Sequence, residues 1–193
     1  MIDRAPNTTP EQEQQPPQQA LLDACLRGDR DAFRDLFLRY QHRVYSIALH
    51  YTGDSAAAMD IAQDVFVKLY SSLAGFRRES SFETWLFRLT ANCCHDRHRQ
   101  RRRLVPLDEQ ENLPNPANHG QRQAERDDLA QHVQRSVAQL PEELRMTVVL
   151  RYTEGLSYEE IAEVLGCPSG TVGSRLSRAH RELASRLSHL KGV

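Results

Sequence analysis

Gly155 to Leu183 read GLSYEEIAEVLGCPSGTVGSRLSRAHREL, and this segment predicts two short helices joined by a turn. Ser157 and Glu160 form an S-x-x-E capping box, which fixes where the first of these helices begins. Where the two helices meet, the sequence supplies a small residue, a turn glycine and an apolar residue, namely Ala162, Gly166 and Val172. This spacing is typical of the helix-turn-helix found in DNA-binding proteins.

The charges of this segment divide between its two helices. The first helix carries glutamates at positions 159, 160 and 163, and the second carries Arg175, Arg178 and Arg181. Arg178 and Arg181 are three residues apart, so both side chains can face one DNA groove or its phosphates. The alternative is an ordinary helical hairpin with a solvated basic face. The helix-turn-helix spacing and the charge division together favour DNA binding.

Upstream of this motif the chain is also helical in pattern. Apolar residues recur at steps of three and four from Leu21 to Leu73 and again from Phe82 to Cys93, and no strand pattern appears. We therefore predict an all-α fold of two small helical domains joined by a flexible linker. The predicted segments are a disordered Gln- and Pro-rich tail over 1–19, a first domain over 20–103, an acidic, Pro-containing linker over 104–125 and a second domain over 126–190.

The net charge of −1 is an average over blocks of opposite sign. Arginines dominate residues 76–103 and the segment after Ser169, whereas the linker between them is acidic. Two basic patches flanking an acidic linker fit a modular chain that binds a polyanion. No apolar run reaches the roughly 20 residues of a membrane helix, and the N-terminus lacks the apolar stretch of a secretory signal. We expect a cytoplasmic protein with no membrane insertion.

Two segments resemble conserved regions of one known family, the extracytoplasmic-function sigma factors of bacterial RNA polymerase. GLSYEEIA and PSGTVGSRLSRA resemble region 4 of that family, which reads the −35 promoter element. Residues 59–103, MDIAQDVFVKLYSSLAGFRRESSFETWLFRLTANCCHDRHRQRRR, resemble region 2, which binds polymerase and melts the −10 element. The resemblance runs from about Leu22 to Leu187.

The resemblance implies a function in promoter-specific initiation, with core RNA polymerase and promoter DNA as partners. It implies contacts to the clamp helices of the largest polymerase subunit and to the β flap. It further implies control by an anti-sigma factor in a stress or envelope response, and no cofactor and no catalytic role.

Asp60, Gln63 and Asp64 are the candidate polymerase-binding residues. The two aspartates lie four residues apart on the polar face of a helix, where like charges cost about 0.2–0.5 kcal/mol. A basic partner would offset that cost, and the resemblance identifies it as the clamp helices. The alternative is a merely solvated acidic face.

A short polar loop and the helix after it resemble the pocket that captures a flipped −10 base. Phe76 and Asn92 match the pocket residues, because an aromatic ring offers a stacking face and an amide can read a base edge. The arginines nearby would hold phosphates. The full set is Phe76, Arg77, Arg78, Asn92, Arg99, Arg101 and Arg102. From the residues alone, Phe76 capping the domain core is an equally good interpretation, and Trp85 is expected to pack in the core.

The candidate −35 residues all lie in the second helix of the helix-turn-helix: Ser169, Thr171, Gly173, Ser174, Arg175, Ser177, Arg178 and Arg181. Arg178 is the residue expected to make a bidentate contact to guanine. Gly173 departs from the family pattern, which usually has Lys or Arg at this position. The departure questions direct base readout at one promoter position.

Other functions find less support in the sequence. Cys94, His95 and His98 lie close together, but their spacing does not match a closed zinc site, so we predict no metal. Asp60 and Asp64 lack a nucleophile, a Gly-rich phosphate loop or a histidine partner, so we predict no enzyme. A stand-alone helix-turn-helix regulator that never joins polymerase remains the alternative. The block FRRESSFETWLF argues against it, because a simple repressor needs no strand-melting pocket.

Overall fold

The computed structural model describes residues 18–104 and 123–188. Every element in these two ranges is helical, which confirms the all-α fold class. The elements are α1 (Gln18–Leu26), α2 (Arg30–Thr52), α3 (Ser55–Ser72), a 3-10 turn (Leu73–Gly75), α4 (Phe82–Leu104), α5 (Gln123–Ala138), α6 (Glu142–Thr153), α7 (Tyr158–Leu165) and α8 (Ser169–Arg186). The tail over 1–17, most of the predicted linker and the side chain of Arg102 lie outside the described residues.

Helices α1 to α4 form the N-terminal domain, and side-chain caps begin α2 and α3. Asp29 begins α2 by accepting hydrogen bonds from the Asp31 and Ala32 amides at 2.9 and 3.1 Å. Gly53 ends that helix in the left-handed region at φ 69°, and Asp54 caps α3 in the same way as Asp29 caps α2. Side-chain oxygens at these positions satisfy amides that a helix start leaves unpaired.

The predicted helix-turn-helix is confirmed in α7 and α8. The Ser157 hydroxyl accepts from the Glu160 amide at 3.1 Å, and the Glu160 carboxylate accepts from the Ser157 amide at 2.7 Å. Gly166 takes the left-handed conformation of the turn at φ 62°. Ile161, Val172 and Leu176 are buried between the helices and against α6.

The two domains pack on one another, and their buried side chains form one continuous cluster. Helix α2 contacts α5 and α6, and α4 contacts α7. The Gln134 amide nitrogen donates to the carbonyl oxygens of Leu49 and His50 at 3.2 and 2.9 Å, across the α2–α5 contact. The Ala138 methyl lies 3.6 Å from the position a Cβ would take on Gly53.

No helix in the described part of the chain is long and apolar enough to span a bilayer.

Candidate nucleic-acid and polymerase interfaces

Helix α8 presents most of the predicted −35 residues to solvent. Its inward face buries Val172, Leu176 and Ala179. The exposed candidates are Ser169, Ser174, Ser177, Arg178 and Arg181, and the half-buried ones are Thr171, Gly173 and Arg175. The outward face of α8 therefore carries hydroxyls and guanidinium groups that can donate hydrogen bonds to base edges or phosphates.

Arg175 differs from the other arginines of α8. Its guanidinium donates to the Glu143 carboxylate at 2.9 Å and lies 3.6 Å from the Cys167 sulfur. The side chain is turned towards α6 and the N-terminal domain, away from the face that holds Arg178 and Arg181. Arg175 is therefore held by residues of its own domain, and it lines the cleft between the domains.

The predicted polymerase-binding residues Asp60, Gln63 and Asp64 are exposed on one face of α3. The Asp60 carboxylate forms an ion pair with Arg97 of α4. Three large apolar side chains that the sequence pattern did not identify are also exposed on this face: Met59, Val67 and Tyr70. An apolar stripe beside acidic residues is a surface suited to a partner helix with apolar and basic side chains. The sequence signal for this stripe was the presence of apolar residues at positions of α3 that the helical period places on its exposed face.

The loop between α3 and α4 holds Phe76, Arg77 and Arg78. The Phe76 ring is half-buried and packs against Trp85 and Phe82, with centroids 5.1 and 5.8 Å apart. Arg77 is exposed, and Arg78 has a φ of 58° that is rare for a residue other than glycine. The Arg78 guanidinium pairs with Asp23 of α1, so the loop is tied to the start of the domain.

Asn92 lies two helical turns beyond Trp85 on the same face of α4, a step of about 10 Å along the axis. The structure therefore places Trp85 between the two predicted pocket residues, Phe76 and Asn92. Asn92 is exposed into a cleft of about 690 Å³ between the domains, which Leu165 and Arg175 also line. One turn before it, Arg88 donates to the Glu163 carbonyl of α7 at 2.6 Å.

Two further predicted arginines continue this helix. The guanidinium of Arg99 pairs with Asp96, and Arg101 is exposed. Most polar groups on this surface of α4 are thus held by other residues of the chain.

Arg43 joins the two domains through one ion pair, to Glu154, and also pairs with Glu83 of its own domain. Its Nε donates to the Glu154 carboxylate at 2.7 Å, and its Nη1 donates to the Glu83 carboxylate at 2.8 Å. Glu154 is in the second domain and its side chain is 5% exposed. Because a nearly buried carboxylate needs a partner, Arg43 is a main tie between α2 and the end of α6.

A second cation lies deeper in the same contact. Arg145 is buried, stacks 4.9 Å from the Tyr51 ring centroid and donates to the carbonyl oxygens of Leu140 and Tyr51 at 2.9 and 3.4 Å. Burial lowers the pKa of Arg145 and raises the pKa of the Tyr51 phenol. Neither group has an acid–base role at neutral pH. A buried cation satisfied by carbonyls and a ring face makes this contact costly to form.

The cysteines and histidines do not form a metal site in the described residues. No group of three or more His, Cys, Asp or Glu side chains converges there. Cys94 is buried, and burial raises the pKa of its thiol well above the ordinary value, so it stays protonated. His95 lies 3.7 Å from Glu142 across the domain contact. Burial lowers the pKa of His95, and the Glu142 charge opposes that effect.

Two known protein families match the two domains of this chain separately. The family Sigma-70 region 2 matches residues 36–104, and the family Sigma-70, region 4 matches residues 130–183. The RNA polymerase sigma-H factor of Pseudomonas aeruginosa is 36% identical over 192 residues, covering 94% of this chain and 97% of that protein. The ECF RNA polymerase sigma-E factor of Escherichia coli K12 is 37% identical over 186 residues, covering 89% and 95%.

Two solved structures are similar over most of their length. CnrH in complex with the cytosolic domain of CnrY has a TM-score of 0.68 at 26% identity, covering 89% of this chain and 97% of that one. The sigma factor RpoE in complex with the anti-sigma factor NepR from Bartonella quintana has a TM-score of 0.64 at 27% identity, covering 81% and 96%.

Proposed function

Because the chain belongs to the extracytoplasmic-function sigma factors of RNA polymerase, we propose that three of its surfaces divide the work of initiation. The face of α3 binds core polymerase, the α3–α4 loop and α4 bind the −10 element, and α8 binds the −35 element. The observation that carries the proposal is the outward face of α8, a confirmed helix-turn-helix whose exposed side chains include Arg178 and Arg181.

The polymerase surface combines acidic and apolar residues. Asp60, Gln63 and Asp64 supply the charge that a basic partner helix recognises, and Val67 and Tyr70 supply apolar area between and beside them. Burial of apolar area contributes roughly 25 cal/mol per Å², whereas exposed ion pairs contribute little. Affinity for polymerase therefore rests mainly on the apolar stripe, and the acidic residues set orientation.

We propose that the −10 surface comprises Phe76, Arg77 and Arg78 in the loop with Asn92, Arg99 and Arg101 along α4, together with Arg102, whose side chain lies outside the described residues. A single strand laid on this surface would stack a base on the aromatic cluster and place its phosphates near the arginines. In the arrangement of the domains described above, Arg88 of α4 donates to the Glu163 carbonyl of α7, and Leu165 of α7 lines the cleft into which Asn92 is exposed. We infer that α7 leaves α4 before a strand reaches Asn92, so that this arrangement is a closed, resting form.

Control by an anti-sigma factor fits the similarity to CnrH and RpoE, both solved as complexes with CnrY and with NepR. An anti-sigma factor would act on this chain by holding the closed form or by covering the same surfaces. The sigma-factor relatives act on RNA polymerase, and we propose that this chain likewise acts in the cytoplasm, without catalysis of its own.

Reconstitution with core RNA polymerase tests the proposed function. Full-length protein and core enzyme are mixed with a promoter library randomised at −35 and −10, and transcripts are sequenced. We expect transcripts that depend on the chain and share both elements. Binding to duplex DNA without any transcript or complex with core enzyme would instead identify a stand-alone regulator.

A further inference from the structure

The glycine at position 173 is covered by an aromatic ring. A Cβ placed on Gly173 would lie 3.6 Å from Cε2 and 3.9 Å from Cδ2 of Tyr158, which is ordinary van der Waals contact. Tyr158 is the first residue of α7. Its ring therefore lies against α8 beside position 173.

The covered position borders the DNA-facing side of α8. At 100° per residue, Gly173 lies between the buried Val172 and the exposed Ser177 around the helix. A ring that rests on Gly173 therefore lies beside the outward face. Tyr158 is 42% exposed, so part of the ring remains accessible to a ligand of α8.

Contacts other than the one to Gly173 also restrict the Tyr158 ring. The Arg151 guanidinium lies 5.5 Å from the Tyr158 ring centroid, and it also donates to the Leu156 carbonyl at 2.6 Å. The capping box at Ser157 fixes the backbone immediately before Tyr158. An aromatic side chain has only two side-chain torsions. Because neighbouring groups already restrict them here, the side chain loses little conformational entropy when it contacts a ligand.

We propose that Tyr158 is a specificity-determining residue for the −35 element, which rests on the proposed function. The ring lies beside Gly173 and contacts a base edge in the major groove. An apolar ring edge suits the C5 methyl group of thymine, which no other standard DNA base presents there. A cation at position 173 would instead favour guanine, so this chain should prefer thymine where a basic side chain reads guanine.

The test uses holoenzyme assembled from the full-length chain and core RNA polymerase, with a duplex pool randomised over the −35 region. Bound sequences are counted for the parent, Tyr158→Ala, Tyr158→Phe and Tyr158→Lys. We expect Tyr158→Ala to lower the preference for thymine at one position by roughly fivefold. Tyr158→Phe should keep that preference, because it keeps the ring, and Tyr158→Lys should move it towards guanine.

Tyr152→Ala is the matched control. Tyr152 is an aromatic residue of the same domain, 64% exposed, and its hydroxyl lies 2.6 Å from His180, two turns beyond Gly173 on α8. The base preference of the Tyr152→Ala holoenzyme should equal that of the parent. Arg178→Ala serves as a reference for loss of discrimination at a different position.

Each other outcome identifies what failed. A parent holoenzyme that selects no −35 sequence overturns the proposed function itself. A parent that selects a sequence, together with an unchanged preference in both Tyr158→Ala and Tyr158→Lys, overturns the role of Tyr158. If Tyr158→Ala loses affinity equally for all sequences, Tyr158 contacts a phosphate and not a base. If Tyr158→Phe loses the thymine preference as much as Tyr158→Ala does, the contact is made by the hydroxyl and not by the ring. Either result overturns the proposal.

Discussion

The two helices proposed to bind DNA, α4 and α8, differ in what their polar side chains contact. On α8, Ser174, Ser177, Arg178 and Arg181 are exposed. On α4, Arg88 donates to α7, Arg97 pairs with Asp60 and Arg99 pairs with Asp96. The α8 face thus carries exposed polar groups, whereas several polar groups of α4 already pair with other residues of the same chain.

The contact between the two domains contains buried charged groups. It buries Arg145 against carbonyls and a ring, and it depends on Arg43 to neutralise Glu154. Buried charges lower the net gain from the apolar area around them. We therefore expect the contact between the domains to contribute less free energy than its apolar area alone would give.

The largest expected effect comes from locking the domains together. The 3.6 Å between the Ala138 methyl and the Cβ position of Gly53 falls within the Cβ–Cβ range of disulfides. In the oxidised Gly53→Cys, Ala138→Cys variant, we expect opening of the −10 element to fall at least about 100-fold. Binding to a −35 duplex should stay close to the parent's, because α8 remains exposed. Permanganate reactivity of unpaired thymines and a duplex titration measure the two.

The controls for the lock are reduction of the disulfide and the single variant Gly53→Cys. Gly53 has a φ of 69°, so a side chain there costs about 1–2 kcal/mol of backbone strain. That cost is present in the single variant and in the reduced protein, both of which should still open promoters. If the oxidised protein opens promoters as well as the reduced one, α7 does not need to leave α4.

A smaller, opposite effect is expected from Arg43→Met. Removing the guanidinium leaves the nearly buried Glu154 without its partner, so the closed form should lose about 1–3 kcal/mol after allowance for the partial exposure of Arg43. We expect a larger radius of gyration by small-angle scattering and severalfold tighter binding of −10 single-stranded DNA. Arg186→Met, which loses an ion pair within α8, is the control and should change neither quantity. An unchanged radius in Arg43→Met would show that this ion pair does not hold the domains.

The smallest effect is a pH dependence from His95. Burial lowers the pKa of His95 in the closed form, so that form binds fewer protons than the open one in the range of histidine titration. The closed form should therefore be most stable above the ordinary histidine pKa of about 6.5 and lose stability as the pH falls through it. Scattering profiles between pH 7.5 and 5.5 measure the opening, and His95→Gln should flatten the dependence. The same pH response in His95→Gln would assign it to other groups.

Local sequence signals predicted the elements of the fold well. The capping box at Ser157, the turn at Gly166 and the buried Val172 act over three to ten residues, and the structure confirms each. Of the −35 residues, Ser174, Ser177 and Arg178 are exposed, as the helical period of α8 requires. The helical period could not place Arg175, because the Glu143 partner lies 32 residues away and on another helix.

The sequence by itself determined the class of this protein, its helices and which residue types face solvent, because caps, turns and helical periodicity depend on near neighbours. Tertiary structure alone decided which of the exposed-looking groups are engaged. It paired Asp60 with Arg97, packed Phe76 on Trp85, placed the Tyr158 ring on Gly173 and brought Glu163 to Arg88. Such contacts join residues from different helices, and they form only when buried apolar surfaces fix how those helices pack.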